Sequence, residues 1–140
     1  MMASPLLQAI DDRIAQAGSI TVAEYMNLCA EAYYARGHAF GRGGDFITAP
    51  EISQTFGEII GLWCAVTWQA MGQPKSFRLV ECGPGRGTLM ADALRATKRV
   101  AGFHAAAQMH LVERSEALRA AQRNALGGRE VRWHADLSAV

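Results

Sequence analysis

The chain carries no excess of charge of either sign. Among 140 residues, 14 basic side chains face 13 acidic ones, a formal net charge of +1, so no broad field draws in nucleic acid or anionic lipid. Cysteine is scarce too. Cys29, Cys64 and Cys82 are odd in number, far apart and without a Cys-x-x-Cys pair, which fits a reducing compartment and argues against a disulfide frame or a cysteine zinc site. The histidines, His38, His104, His110 and His134, lack the spacing of a metal set or a triad, so no metal and no role is assigned to them. Long apolar runs are also missing. The most apolar segment, Ile59 to Trp68, is far shorter than the ~20 residues that cross a bilayer, and no membrane insertion is expected. At the start, Asp11 and Asp12 stand where an address would carry arginines or a basic-then-apolar run; the expected location is the cytoplasm.

What is present suffices for one core, since half the residues are apolar. Helix signals come first. Ser4-Pro5 fits a cap and a first-turn proline, and Leu6, Leu7, Ile10 and Ile14 follow before Gly18 ends the run. Thr21 and Glu24 form a capping box, with Ile20 placed to staple onto Tyr25, which predicts a helix from Val22 to about Tyr34. From Ala35 to Asp45 four glycines and no periodicity predict a loop. Thr48-Ala49-Pro50-Glu51 repeats the capping-box pattern. Behind it Ile52, Phe56, Ile59, Trp63, Val66 and Ala70 recur at steps of four and three, predicting one long helix with a single buried stripe. Phe56, Trp63, Trp68 and Met71 are expected in the core.

After Gly72 and Pro74 the pattern becomes strand, glycine turn and helix. Phe77–Cys82 reads as a buried strand, Leu89 to about Arg99 as a helix, and Met109–Glu113 as a second strand. Ser115 caps a further helix that Gly127 or Gly128 ends, and Val131–His134 is a third strand. Strands separated by helices predict a parallel sheet with right-handed crossovers. The division expected is a helical segment over 1–74 with its glycine-rich loop, then a sheet domain over 75–140.

The first strand runs into Glu81-Cys82-Gly83-Pro84-Gly85-Arg86-Gly87 at the start of a helix. Such glycines let the backbone turn sharply and let a ligand approach the free N–H groups of the helix. Gly83, Pro84, Gly85 and Gly87 are therefore expected at a cofactor, and Cys82 as filler inside the turn. A dinucleotide fingerprint would need a glycine where Thr88 stands, and Glu81 would repel a pyrophosphate but attract the ammonium of a methionine moiety. Glu113, at the end of the second strand, is placed to accept from ribose hydroxyls. Asp136 and Leu137, after the third, are placed for the adenine amino group and ring. The cofactor expected is S-adenosyl-L-methionine. Each carboxylate also has an ordinary structural reading, Glu113 beside Arg114 as a solvated pair and Asp136 as a loop cap.

One further stretch, Gly44-Asp45-Phe46-Ile47-Thr48-Ala49-Pro50-Glu51-Ile52-Ser53, with Tyr33-Tyr34 before it and the glycine turn after it, resembles the MidA family and the mitochondrial complex I assembly-factor arginine methyltransferases. The likeness runs from about Ile20 to Asp136. It implies a Rossmann-like class I methyltransferase sheet, of which this chain would hold only the N-terminal part, preceded by an α-helical segment. It further implies Phe46, Thr48 and Ser53 near the cofactor, and a protein acceptor, a respiratory complex I subunit. With the bacterial relatives in view, the cytoplasm expected is a bacterial one. Where the family has Asp-Pro before Phe-Gly, this chain has His38-Ala39. A protonated guanidinium cannot attack a sulfonium methyl, so an arginine enzyme needs carboxylates at the mouth; Asp45 and Glu51 are the candidates. Two other readings stand beside this one, an NAD-dependent oxidoreductase and a non-catalytic assembly module.

Overall fold

The computed structural model describes residues 4–34 and 46–140. The predicted loop 35–45, with Asp45 and His38, lies outside the described residues. Helix α1 (Pro5–Ala17) opens as its signals require: the Ser4 hydroxyl accepts from the Leu7 N–H at 3.2 Å, and Gly18 takes φ +79° at the other end. Helix α2 (Val22–Tyr34) opens on the predicted box, with Glu24 N–H donating to Thr21 Oγ1 at 3.2 Å and Thr21 N–H to Glu24 Oε2 at 2.9 Å.

The next segment departs from expectation in two ways. Helix α3 (Ala49–Ile52) ends at Ser53, whose extended backbone separates it from α4 (Gln54–Ala70). Thr48 makes no side-chain cap; the Glu51 N–H donates instead to the Thr48 carbonyl at 2.8 Å. The buried face of α4 is also not the large apolar stripe. Gly57, Gly61, Ala65 and Trp68 are buried, while Ile52 is 72 % and Trp63 65 % exposed, and Phe56, Ile59, Val66 and Met71 face solvent with them. The cause is the close approach of helix α5 (Thr88–Ala96). A Cβ on Gly61 would stand 2.5 Å from Ala93 Cα, so only small residues fit this seam.

Strands β1 (Phe77–Cys82), β2 (Ala107–Val112) and β3 (Val131–His134) form a parallel sheet in the order β1-β2-β3, with Cys82 opposite Val112 and Val112 opposite His134. Strand β1 alternates between half-buried and exposed residues and is not buried on both faces. After α5, a 3₁₀ turn (Thr97–Arg99) and a short helix α6 (Phe103–Ala106) lead into β2, which begins earlier than the apolar pattern suggests. Helix α7 (Glu116–Leu126) crosses from β2 to β3, capped by Ser115 and closed by Gly127 at φ +60°.

Two clusters form the core. Met90, Leu94, Leu111 and Leu126 pack with Leu79, Met109, Val131 and Trp133 between the sheet and its crossover helices. Ala65, Trp68, Phe103 and Ala106 pack with Phe77 at the foot of α4. Burying each large apolar side chain contributes roughly 1.5–3 kcal/mol, and this fixes the strand ends that carry the site. On the sheet face away from Leu111, the rings of His110 and His134 stack 5.0 Å apart, with Nδ1 and Nε2 at 2.9 Å. Among the described residues no helix is long and apolar enough to cross a membrane.

Candidate functional site

In an open parallel sheet, ligands sit beyond the C-terminal ends of the strands, where chain reversals leave a crevice. Here the ends of β1, β2 and β3 present Gly83, Glu113 and Asp136 to one side. Gly83 and Gly85 both have positive φ, +64° and +54°, and a Cβ at Gly83 would meet nothing within 4 Å. The elbow is therefore bare on its outer side, and the chain behind it is held by the Gly83 N–H, which donates to the Val112 carbonyl at 3.0 Å.

Two cavities share this elbow. The larger, about 750 Å³, is lined by Gly83, Gly85, Glu113, Ser115 and Asp136 below, and by Ala30, Glu31 and Tyr34 of α2 above. An ion pair at 3.3 Å between Arg114 and Glu31 joins its two walls, and Arg114 Nε also donates to the Ala135 carbonyl. The smaller, about 320 Å³, is lined by Thr48, Pro50, Glu51, Phe56, Glu81, Cys82, Gly83, Pro84, Gly85, Arg86, Thr88 and Leu89.

The carboxylates differ sharply in environment. Glu81 is largely buried beneath the start of α5, and its Oε2 has no hydrogen-bond partner among the described residues. Burial pushes its carboxyl up to about 7, against the pull of the Met90 backbone N–H. Glu113 is instead held at both oxygens: the Ser115 N–H donates to Oε1 at 2.8 Å and Gln122 Nε2 to Oε2 at 3.3 Å. Asp136 lines the larger cavity and accepts from the Ser138 hydroxyl and, at 2.9 Å, from the Ser138 N–H, which hold its carboxyl below the usual range. Glu51 Oε1 accepts from the Thr88 hydroxyl at 2.7 Å.

The remaining expected residues take varied places. Pro84 and Thr48 border the smaller cavity. Gly87 borders neither. It is buried, and its Cβ position lies 3.2 Å from Gln122 Cα, so this glycine serves the packing of α7 on the elbow. Cys82 is exposed and lines the smaller cavity, not the inside of the turn. Leu137 is exposed in a 3₁₀ turn (Leu137–Ala139) outside both cavities. Ser53 ends α3, and Phe46 is exposed with its ring 6.3 Å from that of Tyr33; neither lines either of these two cavities. The site contacts of Gln122, Thr88, Arg114 and Glu31 were not foreseen from the sequence. Each acts through a partner at least nine residues away, a distance no local motif records.

Comparison with known proteins meets this geometry at the same residues. A family model described as "Putative S-adenosyl-L-methionine-dependent methyltransferase" matches residues 59–140, which include the elbow and all three strand ends. The chain belongs to this methyltransferase family. Protein arginine methyltransferase NDUFAF7, mitochondrial, of Danio rerio is 41% identical over 135 residues, 92% of this chain and 32% of that protein. The protein of the same name from Homo sapiens is 44% identical over 121 residues, 82% of this chain and 27% of that one. The chain thus spans about a third of the length of the curated relatives it matches. A crystal structure from Burkholderia thailandensis, bound to S-adenosyl-homocysteine, superimposes with a TM-score of 0.73 at 30% identity, over 98% of this chain and 40% of that one.

The resemblance drawn from the glycine turn and the residues around Phe46 is therefore borne out, as are the α/β fold class and S-adenosylmethionine as the family's cofactor. The bacterial cytoplasm is not. The relatives named above are mitochondrial proteins, and Asp11 and Asp12 carried no information against that.

Proposed function

We propose that the groove over Gly83 and Gly85 binds S-adenosylmethionine and that the protein transfers its methyl group to an arginine of a protein substrate. The observation that carries this reading is the bare elbow flanked by two carboxylates, Glu113 hydrogen-bonded at both oxygens and Glu81 with an unpartnered Oε2. The part over 75–140 holds the cofactor, and the helical part over 1–74 closes the groove from above.

The residues fit the group. Glu113, oriented by N–H donors at both of its oxygens, is suited to accept from both ribose hydroxyls. The unpartnered Oε2 of Glu81 is suited to an ammonium, which would satisfy a buried acceptor that otherwise costs about 1–3 kcal/mol. Asp136, with the backbone at Leu137, bounds the end where an adenine edge would lie. Pro84 and Thr48 would wall the methionine end, with Phe46 and Ser53 nearby in the chain. Bound there, the cofactor supplies an electrophilic methyl on a sulfonium. The protein's contribution is to align the acceptor and exclude water, and to take a proton from the guanidinium as it reacts, for which Asp45 and Glu51 are the candidates.

The acceptor class follows from the curated relatives, named as protein arginine methyltransferases. The family resemblance supports a respiratory complex I subunit as the acceptor and a role in assembling that complex. Calorimetric titration with S-adenosyl-homocysteine and, separately, with NAD tests the cofactor half: binding of the first alone supports the reading, and binding of NAD alone overturns it. Transfer of a labelled methyl from S-adenosylmethionine to arginine in a complex I subunit tests the acceptor half, and incorporation at another residue type would overturn it.

A further inference from the structure

The side chain of Gln122 is fully buried in the middle of α7, at 0 % exposure. Burying an amide costs several kcal/mol unless its donors and acceptor are matched, and here all are. Trp133 Nε1 donates to Oε1 at 2.8 Å, while Nε2 donates to the Gly85 carbonyl at 2.8 Å and to Glu113 Oε2 at 3.3 Å. An indole N–H can only donate, so it settles which end of the amide is oxygen. Both N–H groups must then point at the elbow and at Glu113. Arg123 lies over the Trp133 ring at 5.1 Å and holds the indole in place.

One side chain thus ties together β3, the end of β2 and the elbow after β1. Gln122 lines neither cavity, whereas Gly85 and Glu113 both line the larger. Gly87 completes the arrangement, since a Cβ there, at φ +84°, would press on Gln122 Cα at 3.2 Å.

We propose that Gln122 is a positioning residue for cofactor binding. It sets the Glu113 carboxylate toward the ribose hydroxyls and fixes the Gly85 peptide so that the elbow stays open. This rests on the reading that the groove takes S-adenosylmethionine. The two can fail separately.

The test compares S-adenosyl-homocysteine with its 2′,3′-dideoxy analogue by calorimetry, on the wild-type chain and on Gln122→Met, which keeps the volume and removes the amide. In the wild type the hydroxyls should improve affinity by roughly tenfold or more. In Gln122→Met that advantage should shrink to within about threefold, while affinity for the dideoxy analogue changes little. A loss shared equally by both ligands would mark a purely structural residue and overturn the proposal. So would an unchanged advantage. Should Gln122→Met not fold by circular dichroism, Gln122→Leu provides the reading, because it too removes the amide and keeps a side chain of similar size; it should show the same selective loss, and an undiminished hydroxyl advantage would again overturn the proposal. A wild-type chain that binds neither ligand overturns the cofactor reading and this inference with it.

Discussion

The Thr88 hydroxyl donates to Oε1 of Glu51 at 2.7 Å, joining the first turn of α5 to α3 across 37 positions of sequence. Both residues line the smaller cavity, so this bond bridges two elements of its wall. The Glu51 carboxylate thus reaches toward α5, while the Glu51 N–H donates to the Thr48 carbonyl at 2.8 Å, and the expected box at Thr48 does not form.

Removing that bond should cost about 1 kcal/mol of stability, because a part-buried acceptor loses its donor. Urea unfolding of Thr88→Val should show this loss. Glu51→Gln retains an acceptor oxygen and should cost less than Glu51→Ala. Equal losses from the two Glu51 variants would remove the bond from the account.

The seam between α4 and α5 gives a sharper prediction. Gly61→Ala should gain about 1 kcal/mol in helix propensity, yet the added carbon would stand 2.5 Å from Ala93 Cα and 2.6 Å from its carbonyl oxygen. Backbone cannot yield as a flexible side chain can, so the clash wins, and a net loss of roughly 1–3 kcal/mol is expected in urea unfolding. Ile59→Ala and Val66→Ala, on the exposed side, should change stability by no more than about 0.5 kcal/mol. The reverse order would mean that the large stripe is the buried one.

Glu81 makes stability depend on pH in a defined direction. Its carboxyl is raised from 4.5 to about 7 in the folded chain, so folding favours the protonated form. The stabilisation is fully present below 4.5 and is lost as pH rises through about 7, on the order of 3 kcal/mol in all. Glu81→Gln should flatten this part of the profile, measured by urea unfolding between pH 4.5 and 8. Binding of an ammonium beside Oε2 should expel the remaining proton. Calorimetry near pH 7 in buffers of different ionisation enthalpy should then report release of roughly half a proton per S-adenosyl-homocysteine bound. Proton uptake would contradict the placement of Glu81.

Gly83→Ala separates folding from binding. The left-handed φ of +64° costs an alanine about 1 kcal/mol, but its Cβ meets no protein atom. The variant should therefore fold with a small loss of stability and bind S-adenosyl-homocysteine roughly tenfold or more weakly, since the methyl points into the groove. A variant that binds as the wild type does would place the ligand elsewhere.

Much of this architecture was legible because its signals are local. Ser4, Thr21 with Glu24, Ser115 and Gly127 bound their helices by contacts within four residues. The strand–glycine–helix unit was legible for the same reason. The buried face of α4 was not, because hydrophobic periodicity weights large side chains, whereas the packing here depends on how close two backbones can come, and that favours Gly57 and Gly61. Gln122 was invisible for a different reason. A glutamine in a helix carries no signal until the fold brings Gly85, Glu113 and Trp133 to it. Gly87 read as a ligand contact because its role, admitting α7, depends on a helix about thirty residues later in the sequence.

The most direct test of the cofactor site is a crystal of this chain soaked in S-adenosyl-homocysteine. The account predicts ligand density over Gly83 and Gly85, with the ribose hydroxyls within hydrogen-bonding distance of Glu113 and the ammonium beside Glu81. Density that avoids the elbow, or a ribose turned away from Glu113, would contradict it.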